Sequence, residues 1–156
     1  MGEFRGVNFF SRPQHCDLTS RACFHAYAYI SSQFFKVKAT FKDAITALRR
    51  ASELSPWNFQ NKVYLLEAEM FSFERKDAEA RSSYAAAITS STSQRFVHEQ
   101  GLACELAGMH YNKIGEGEIA MNFLQRAKEC YQQWGSQMKV ESITEQMGKV
   151  VSASLT

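Results

Sequence analysis

Two histidines and two cysteines near the start of the chain are the first residues whose chemistry suggests a metal site. His15, Cys16, Cys23 and His25 carry the imidazole and thiolate groups that Zn²⁺ prefers. Six residues separate the cysteines, with a histidine just outside each, and this spacing matches no zinc finger or knuckle. We therefore predict no metal site and expect these side chains to pack or to lie at the surface.

The stretch GEGEIA at 115–120 has the form of a dinucleotide-binding turn. Such a turn must follow a β-strand, but the preceding ELAGMHYNKI has a helical pattern. The carboxylates of Glu116 and Glu118 would also repel a pyrophosphate. No G-x-x-x-x-G-K-S/T sequence occurs elsewhere in the chain. We predict a turn between two helices here and no bound cofactor.

Other residues able to do chemistry are scattered. The HE pair at 98–99 begins like a metalloprotease motif, but Leu102 stands where the second His is needed. His110 lies beside an aromatic residue in a helical segment, and Cys104 and Cys130 occupy apolar helix faces, where thiols usually pack as small hydrophobes. We predict that the protein is not an enzyme. A Cys–His nucleophile pair remains the less favoured alternative, since such partners can be distant in sequence.

Composition indicates one helical domain. The 156 residues are 45% hydrophobic and 22% charged, with only two prolines and eight glycines to form tight turns. No segment has the roughly 20 apolar residues of a membrane span, and no early apolar run resembles a signal peptide, so we predict a cytoplasmic protein with reduced thiols. The net charge is +2, and the basic stretches KVKATFK at 36–42 and Arg49–Arg50 are short. They are typical of a solvated helix surface, and we predict no nucleic-acid partner.

Small residues recur with a large residue between them, at offsets of four and then three. Positions four and three apart share one face of a helix, and small side chains there let a neighbouring helix approach closely. The three copies, at intervals of 36 and 40 residues, are Ala44–Leu48–Ala51, Ala80–Tyr84–Ala87 and Ala120–Leu124–Ala127.

Each copy is preceded by a second pattern. Twelve residues upstream stands a small residue (Ser32, Ala68 or Gly108), and three residues later an aromatic one (Phe35, Phe71 or Tyr111). These patterns predict partner helices whose small residues face the alanine stripes. The predicted antiparallel pairs are 18–37 with 41–54, 58–74 with 77–90, and 95–114 with 117–134, followed by a capping helix at 136–149.

Turn residues divide these helices. Pro56, Ser91–Ser93, Gly115 and Gly135 stand at the predicted ends. The resulting fold class is all-α, an α-solenoid of three antiparallel helix pairs plus a C-terminal capping helix. We expect a poorly ordered extension at 1–17, a repeat domain at 18–149 and a tail at 150–156.

The combined pattern resembles the tetratricopeptide repeat, whose period is about 34 residues. The signature Trp of that repeat is replaced by Ala28, Tyr64 and Cys104. Residues 98–140 resemble more specifically the end of the helical region in large sensor kinases, where an AAA-type ATPase module precedes helical repeats, a GAF domain and a kinase core. The closing WGSQMKV at 134–140 is the most distinctive part. The resemblance implies a non-catalytic segment between signalling modules.

In a solenoid of helix pairs, the first helix of each pair lines the concave side, where peptides or helices dock. The partner would be a protein or peptide, or neighbouring domains of a longer parent. A free-standing adaptor with this groove is the alternative to an interdomain segment. The predicted groove residues are Tyr29, Gln33, Lys36, Lys62, Leu65, Glu69, Glu105, Met109 and Asn112.

Overall fold

Helices joined by short turns account for all of the chain that can be described. The computed structural model describes the backbone of residues 37–154, with side-chain burial from 40 to 152. No strand occurs in that range, which confirms the predicted all-α class. The predicted extension at 1–17 lies outside the described residues, as does almost all of the predicted helix at 18–37. The six helices are α1 (Val37–Leu54), α2 (Pro56–Phe73), α3 (Asp77–Ser93), α4 (Val97–Lys113), α5 (Gly117–Trp134) and α6 (Gln137–Ser154).

Four of the five turns between these helices are built alike. Each contains one residue in the left-handed region: Arg75, Arg95, Gly115 or Gly135, with φ between 57° and 85°. The N–H of the next residue donates to the carbonyl five positions earlier, at 2.9–3.0 Å, and so satisfies a carbonyl that the helix end leaves open. The predicted turns at Gly115 and Gly135 are thereby confirmed.

Helix ends differ from the predicted ends where side chains or packing extend a helix. Ser91–Ser93, expected to break a helix, form the last turn of α3. The hydroxyl of Thr92 donates to the Ile88 carbonyl at 2.7 Å, which satisfies it without leaving the helix. At the other end of the chain, α6 continues to Ser154 because Val150 is buried.

Pro56 begins α2 as well as following α1. Ser55 is the residue before the helix, and Pro56 occupies its first turn, where the missing N–H costs nothing. One residue therefore separates α1 from α2. Arg49 of α1 donates to Glu67 of α2 through Nε at 3.1 Å, which ties the two helices together at the surface.

The small-large-small stripes of α3 and α5 are buried, as predicted. Ala80, Ala87, Ala120 and Ala127 are at most 1% exposed, and so are the large residues Tyr84 and Leu124 between them. In α1, Leu48 is buried, while Ala44 and Ala51 are only half-buried.

Glycines of α4 bring it close to α5. A Cβ at Gly108 would lie 2.9 Å from Leu124 Cγ, and a Cβ at Gly101 would lie 3.1 Å from Tyr131 Cε1. Because the earlier position on α4 faces the later position on α5, the two helices run antiparallel. Tyr111 stacks on Phe123 with ring centres 5.2 Å apart, so the predicted small and aromatic residues both face the following helix.

Successive helices from α2 onward pack on one another, and α2 also contacts α4. All of these contacts belong to the unit that starts at Thr40. None of the helices in residues 37–154 is both long and apolar enough to cross a membrane.

Candidate protein-binding surface

The helices α2, α4 and α6 run parallel and are linked by polar side chains. Lys62 and Asn61, near the start of α2, bond Glu99 near the start of α4. Ser72, near the end of α2, shares a hydrogen bond of 2.9 Å with His110 Nδ1, near the end of α4. Since start meets start and end meets end, the two helices point the same way. The sequence placed its groove on α2 and α4, and on a helix at 18–37 that lies almost wholly outside the described residues, but not on α6.

Lys62 and Glu99 form an enclosed ion pair. Lys62 Nζ lies 2.7 Å from Glu99 Oε1, and their side chains are only 8% and 11% exposed. Lys62 also donates to the Asn58 carbonyl at 2.7 Å and lies 5.5 Å above the ring of Phe96. Burial opposes the charge on Glu99, but hydrogen bonding by His98 and the charge of Lys62 outweigh it, and the pKa of Glu99 is lowered. Removing one partner of such a pair costs about 3–5 kcal/mol.

Glu105 links α4 to both helices that follow it. Its carboxylate accepts from Tyr131 OH of α5 at 2.6 Å. It also accepts from Lys139 Nζ of α6 at 2.9 Å and from Gln146 Nε2 of α6 at 3.3 Å. The Glu105 side chain is 8% exposed. Burial, followed by the charge of this carboxylate, raises the pKa of Tyr131 and keeps its hydroxyl protonated as a donor.

Glu69 is held in a different way. Its carboxylate accepts a hydrogen bond from Tyr84 OH of the following helix α3. Burial raises the pKa of Glu69 to about 7, against the opposing effects of the Tyr84 hydrogen bond and the charge of Lys113. The protonated form is therefore well populated near neutral pH.

The predicted groove residues thus separate into three groups. Tyr29, Gln33 and Lys36 lie outside the described residues. Lys62, Glu69 and Glu105 bond to neighbouring helices, which leaves their charged groups little freedom to meet a ligand. Leu65 is half-buried, Asn112 is exposed and Met109 is 44% exposed.

Met109 and Asn112 line a cleft between α4 and α6, here called the large cleft, of about 220 Å³. Leu124 and Val150 are buried and provide its apolar floor together with Met109. Its polar groups are two amides and two ammonium groups. The full lining is Gly108, Met109, Asn112, Lys113, Leu124, Gln146, Lys149 and Val150.

A second cavity, the small cleft, has a volume of about 90 Å³ and lies where α2, α3 and α4 meet. It shares Lys113 with the large cleft, so the two are neighbours on α4. Its charged lining residues are one carboxylate, that of Asp77, and the cations of Arg75 and Lys113. The full lining is Ser72, Arg75, Asp77, His110, Lys113 and Ile114.

His110 in the small cleft is a positioned but neutral group. The residue is only 3% exposed, and its Nε2 has no hydrogen-bond partner among the described residues. Burial lowers the pKa of the imidazole, and the nearby cations Arg81 and Lys113 act in the same direction against Asp77. The ring lies 5.5 Å from that of Tyr84. The contacts are those of a packed histidine that bonds Ser72.

The two cysteines in the described residues are packed thiols. Cys104 is fully buried and Cys130 is 7% exposed, and neither is in a disulfide. Burial raises the pKa of Cys104 to about 12 and also raises that of Cys130. A thiol becomes a strong nucleophile as the thiolate, so these environments oppose covalent chemistry.

The GEGEIA stretch is a turn between helices, as predicted. Gly115 is left-handed with φ of +85°, Glu116 precedes α5, and the segment before the turn is the helix α4. Glu116 forms an ion pair with Arg81 of α3. Its carboxylate therefore stabilises the packing of helices instead of facing a phosphate.

Sequence reasoning did not find Arg75, Lys113, Gln146 or Lys149 as surface residues of interest. Arg75 lies in a turn, and Gln146 and Lys149 belong to the predicted capping helix, which was not given a groove-lining face. Arg75, Lys113 and Lys149 are basic, but nothing in their spacing along the chain indicated that they would line neighbouring clefts.

No group of three His, Cys, Asp or Glu side chains in the described part of the chain could hold a metal ion. The earlier cluster at 15–25 lies outside it. Comparisons of the chain with family models, with curated proteins and with solved structures found no match. Function must therefore be inferred from the residues and contacts of the chain itself.

Proposed function

We propose that this chain is a tetratricopeptide-like solenoid segment that mediates protein interactions within a signal-transduction protein. The arrangement proposed is α2 with α3 and α4 with α5 as successive antiparallel pairs, with α6 covering the last one. Parallel α2 and α4, buried alanine stripes and similar turns support it. Each is typical of stacked helix pairs.

The observation on which this proposal mainly rests is the set of buried polar links between the parallel helices. Glu99 is bonded from α2, and Glu105 is bonded from α6, so α4 is tied on both sides. A shift of one helix would break the enclosed Lys62–Glu99 pair or the partly exposed Lys139–Glu105 pair, and this favours discrete packing states over gradual deformation. Such a segment suits the transmission of a state between modules.

In the parent protein that residues 98–140 resemble, the segment would connect an ATPase module to a kinase output. Sequencing the native gene on both flanks tests this placement. Coding regions for an ATPase before the segment and for GAF or kinase modules after it are the expected result. Unrelated flanks would refute the interdomain role and leave the interaction role.

The two clefts favour a second candidate, a free-standing adaptor that binds a peptide or helix. The chain would be immobilised and used to capture partners from a cell extract. Met109→Glu should abolish capture, because it places a charge on the apolar floor of the large cleft. Ile119→Glu is the matched control, since Ile119 is 42% exposed on α5 whereas Met109 is 44% exposed on α4. Equal loss with both variants would contradict a specific role for the cleft.

A further inference from the structure

We propose that the large and small clefts together bind an acidic segment of a partner protein, with an apolar side chain in the large cleft and carboxylates against Arg75, Lys113 and Lys149. The inference rests on the proposed interaction function. It specifies the chemistry of the partner and the side of the molecule that meets it.

Charge is the first argument. The linings of the two clefts contain three cations and a single carboxylate, that of Asp77. Within residues 40–152, neither Arg75 nor Lys113 forms an ion pair, although the charge of Lys113 acts on the nearby carboxylate of Glu69. Among the described residues, Lys149 pairs with Glu145 alone, at 2.7 Å between side chains that are about 70% exposed. Exposed pairs of this kind are worth little, so Lys149 can exchange partners readily.

Position is the second argument. Lys113 lines both clefts, so Arg75 of the small cleft and Lys149 of the large cleft both lie in cavities that Lys113 borders. Arg75 lies in the turn after α2, Lys113 is the last residue of α4 and Lys149 lies in α6. An extended segment that crosses these helices would meet a cation at each one. The amide of Asn112, which is exposed, offers an additional hydrogen-bond donor at the large cleft.

Size is the third argument. Pockets for small organic ligands usually enclose about 300–1,000 Å³. The large cleft, at about 220 Å³, is smaller and has a floor of Met109, Leu124 and Val150. These dimensions fit one apolar side chain of a peptide. An apolar side chain flanked by acidic residues matches both this floor and the cations Arg75, Lys113 and Lys149 of the two clefts.

A soluble library of six-residue peptides, acetylated and amidated so that only side chains carry charge, would test the proposal. Each position is fixed in turn while the others are varied, and binding to the full chain is measured by fluorescence anisotropy. We expect selection of Leu, Ile, Met or Phe at one position and of Asp or Glu on both sides of it. Selection of an apolar residue without acidic neighbours would refute this inference while leaving a protein-binding function intact. Absence of any selection would count against both.

Variants of the cleft arginine and lysine test whether these cations cause the preference for acidic residues. Arg75→Gly and Arg95→Gly replace left-handed arginines with φ of 57° and 58° in equivalent turns, and of the two only Arg75 lines the large or the small cleft. Arg75→Gly should weaken binding of the selected peptide about two- to fivefold, and Arg75→Gly with Lys113→Gln about tenfold. Arg95→Gly should change it less than twofold. Equal weakening by Arg75→Gly and Arg95→Gly would overturn the proposal, because any effect would then come from the turns.

Two other occupants are measured in the same samples. A single-stranded oligothymidine probes a polyanion that lacks apolar side chains, and sedimentation velocity detects a second copy of the chain. We expect the oligothymidine to bind at least tenfold more weakly than the selected peptide, and the chain to sediment as a monomer. Tighter binding of the oligothymidine, or a dimer that Met109→Glu dissociates, would overturn the acidic-segment assignment.

Discussion

Gly108 offers the sharpest test of close packing between helices. Alanine there would improve helix propensity by about 0.8–1.0 kcal/mol. Its Cβ, however, would lie 2.9 Å from Leu124 Cγ and 3.2 Å from the Ala120 carbonyl oxygen, well inside the 3.5–4.0 Å of a comfortable carbon contact. Leu124 is 1% exposed and borders the large cleft, so its side chain can shift a little, but the backbone carbonyl of Ala120 cannot move aside in the same way. Overpacking costs about 1–3 kcal/mol, so we expect Gly108→Ala to lower the free energy of unfolding by about 1 kcal/mol.

Gly148 provides the matched control for this prediction. It lies inside α6, and a Cβ there would meet nothing within 4 Å. Gly148→Ala should therefore raise the free energy of unfolding by about 0.5–1 kcal/mol. Both variants are compared with the parent by urea unfolding, followed by circular dichroism at 222 nm. If Gly108→Ala proves as stable as Gly148→Ala, α4 does not approach α5 as closely as the proposed stacking requires.

Three further predictions concern turns, pH and thiols. Gly115→Ala should destabilise the protein by about 1 kcal/mol because the left-handed backbone there is unfavourable for a residue with a side chain, although space is free. Arg75→Gly should stabilise it by about 0.5 kcal/mol, since it relieves the same backbone conformation. Urea unfolding measures both changes. Burial raises the pKa of Glu69 from 4.5 to about 7, so the protonated carboxyl contributes to the free energy of unfolding fully below about pH 4.5. This contribution, at most about 3 kcal/mol, is lost as the pH rises through 7. Glu69→Gln should remove this part of the pH dependence of stability. Cys104, whose thiol has a pKa of about 12, should resist iodoacetamide at pH 8 in native protein and react after denaturation in urea. Peptide mass mapping follows the alkylation. Rapid alkylation of the native protein would instead support a nucleophilic role for Cys104.

The helices and their buried faces could be predicted because local chemistry decides them. The offsets of four and three put Ala80 and Ala87 on one stripe, and that stripe is buried. Gly115 and Gly135 marked turns because few other residues adopt a left-handed backbone easily. Arg75 and Arg95 occupy the same conformation without that signal. The predicted bounds 58–74 and 77–90 still enclose the turn at Arg75, whereas Arg95 lies just past the predicted gap at 91–94.

Helix ends were less predictable because they depend on partners beyond the local sequence. Ser91–Ser93 continue α3 since their hydroxyls bond to carbonyls of the same helix. The last turn of α6 is kept by the burial of Val150, which only the packing of helices could provide. Pro56 was correctly placed just beyond one helix, and its second role at the start of the next depends on how closely the two helices follow each other.

By itself, the sequence determined the helical class, the buried alanine stripes and the helices on which Lys62, Glu105 and Met109 stand. Periodicity fixes the face of a helix on which a residue lies, since it depends only on neighbours in the chain. Tertiary structure alone decided that Lys62 bonds Glu99 and that Glu105 bonds Lys139, while Met109 lines a cleft. Those outcomes depend on which distant helix supplies a counter-charge within hydrogen-bond distance, and spacing along one helix contains no such information.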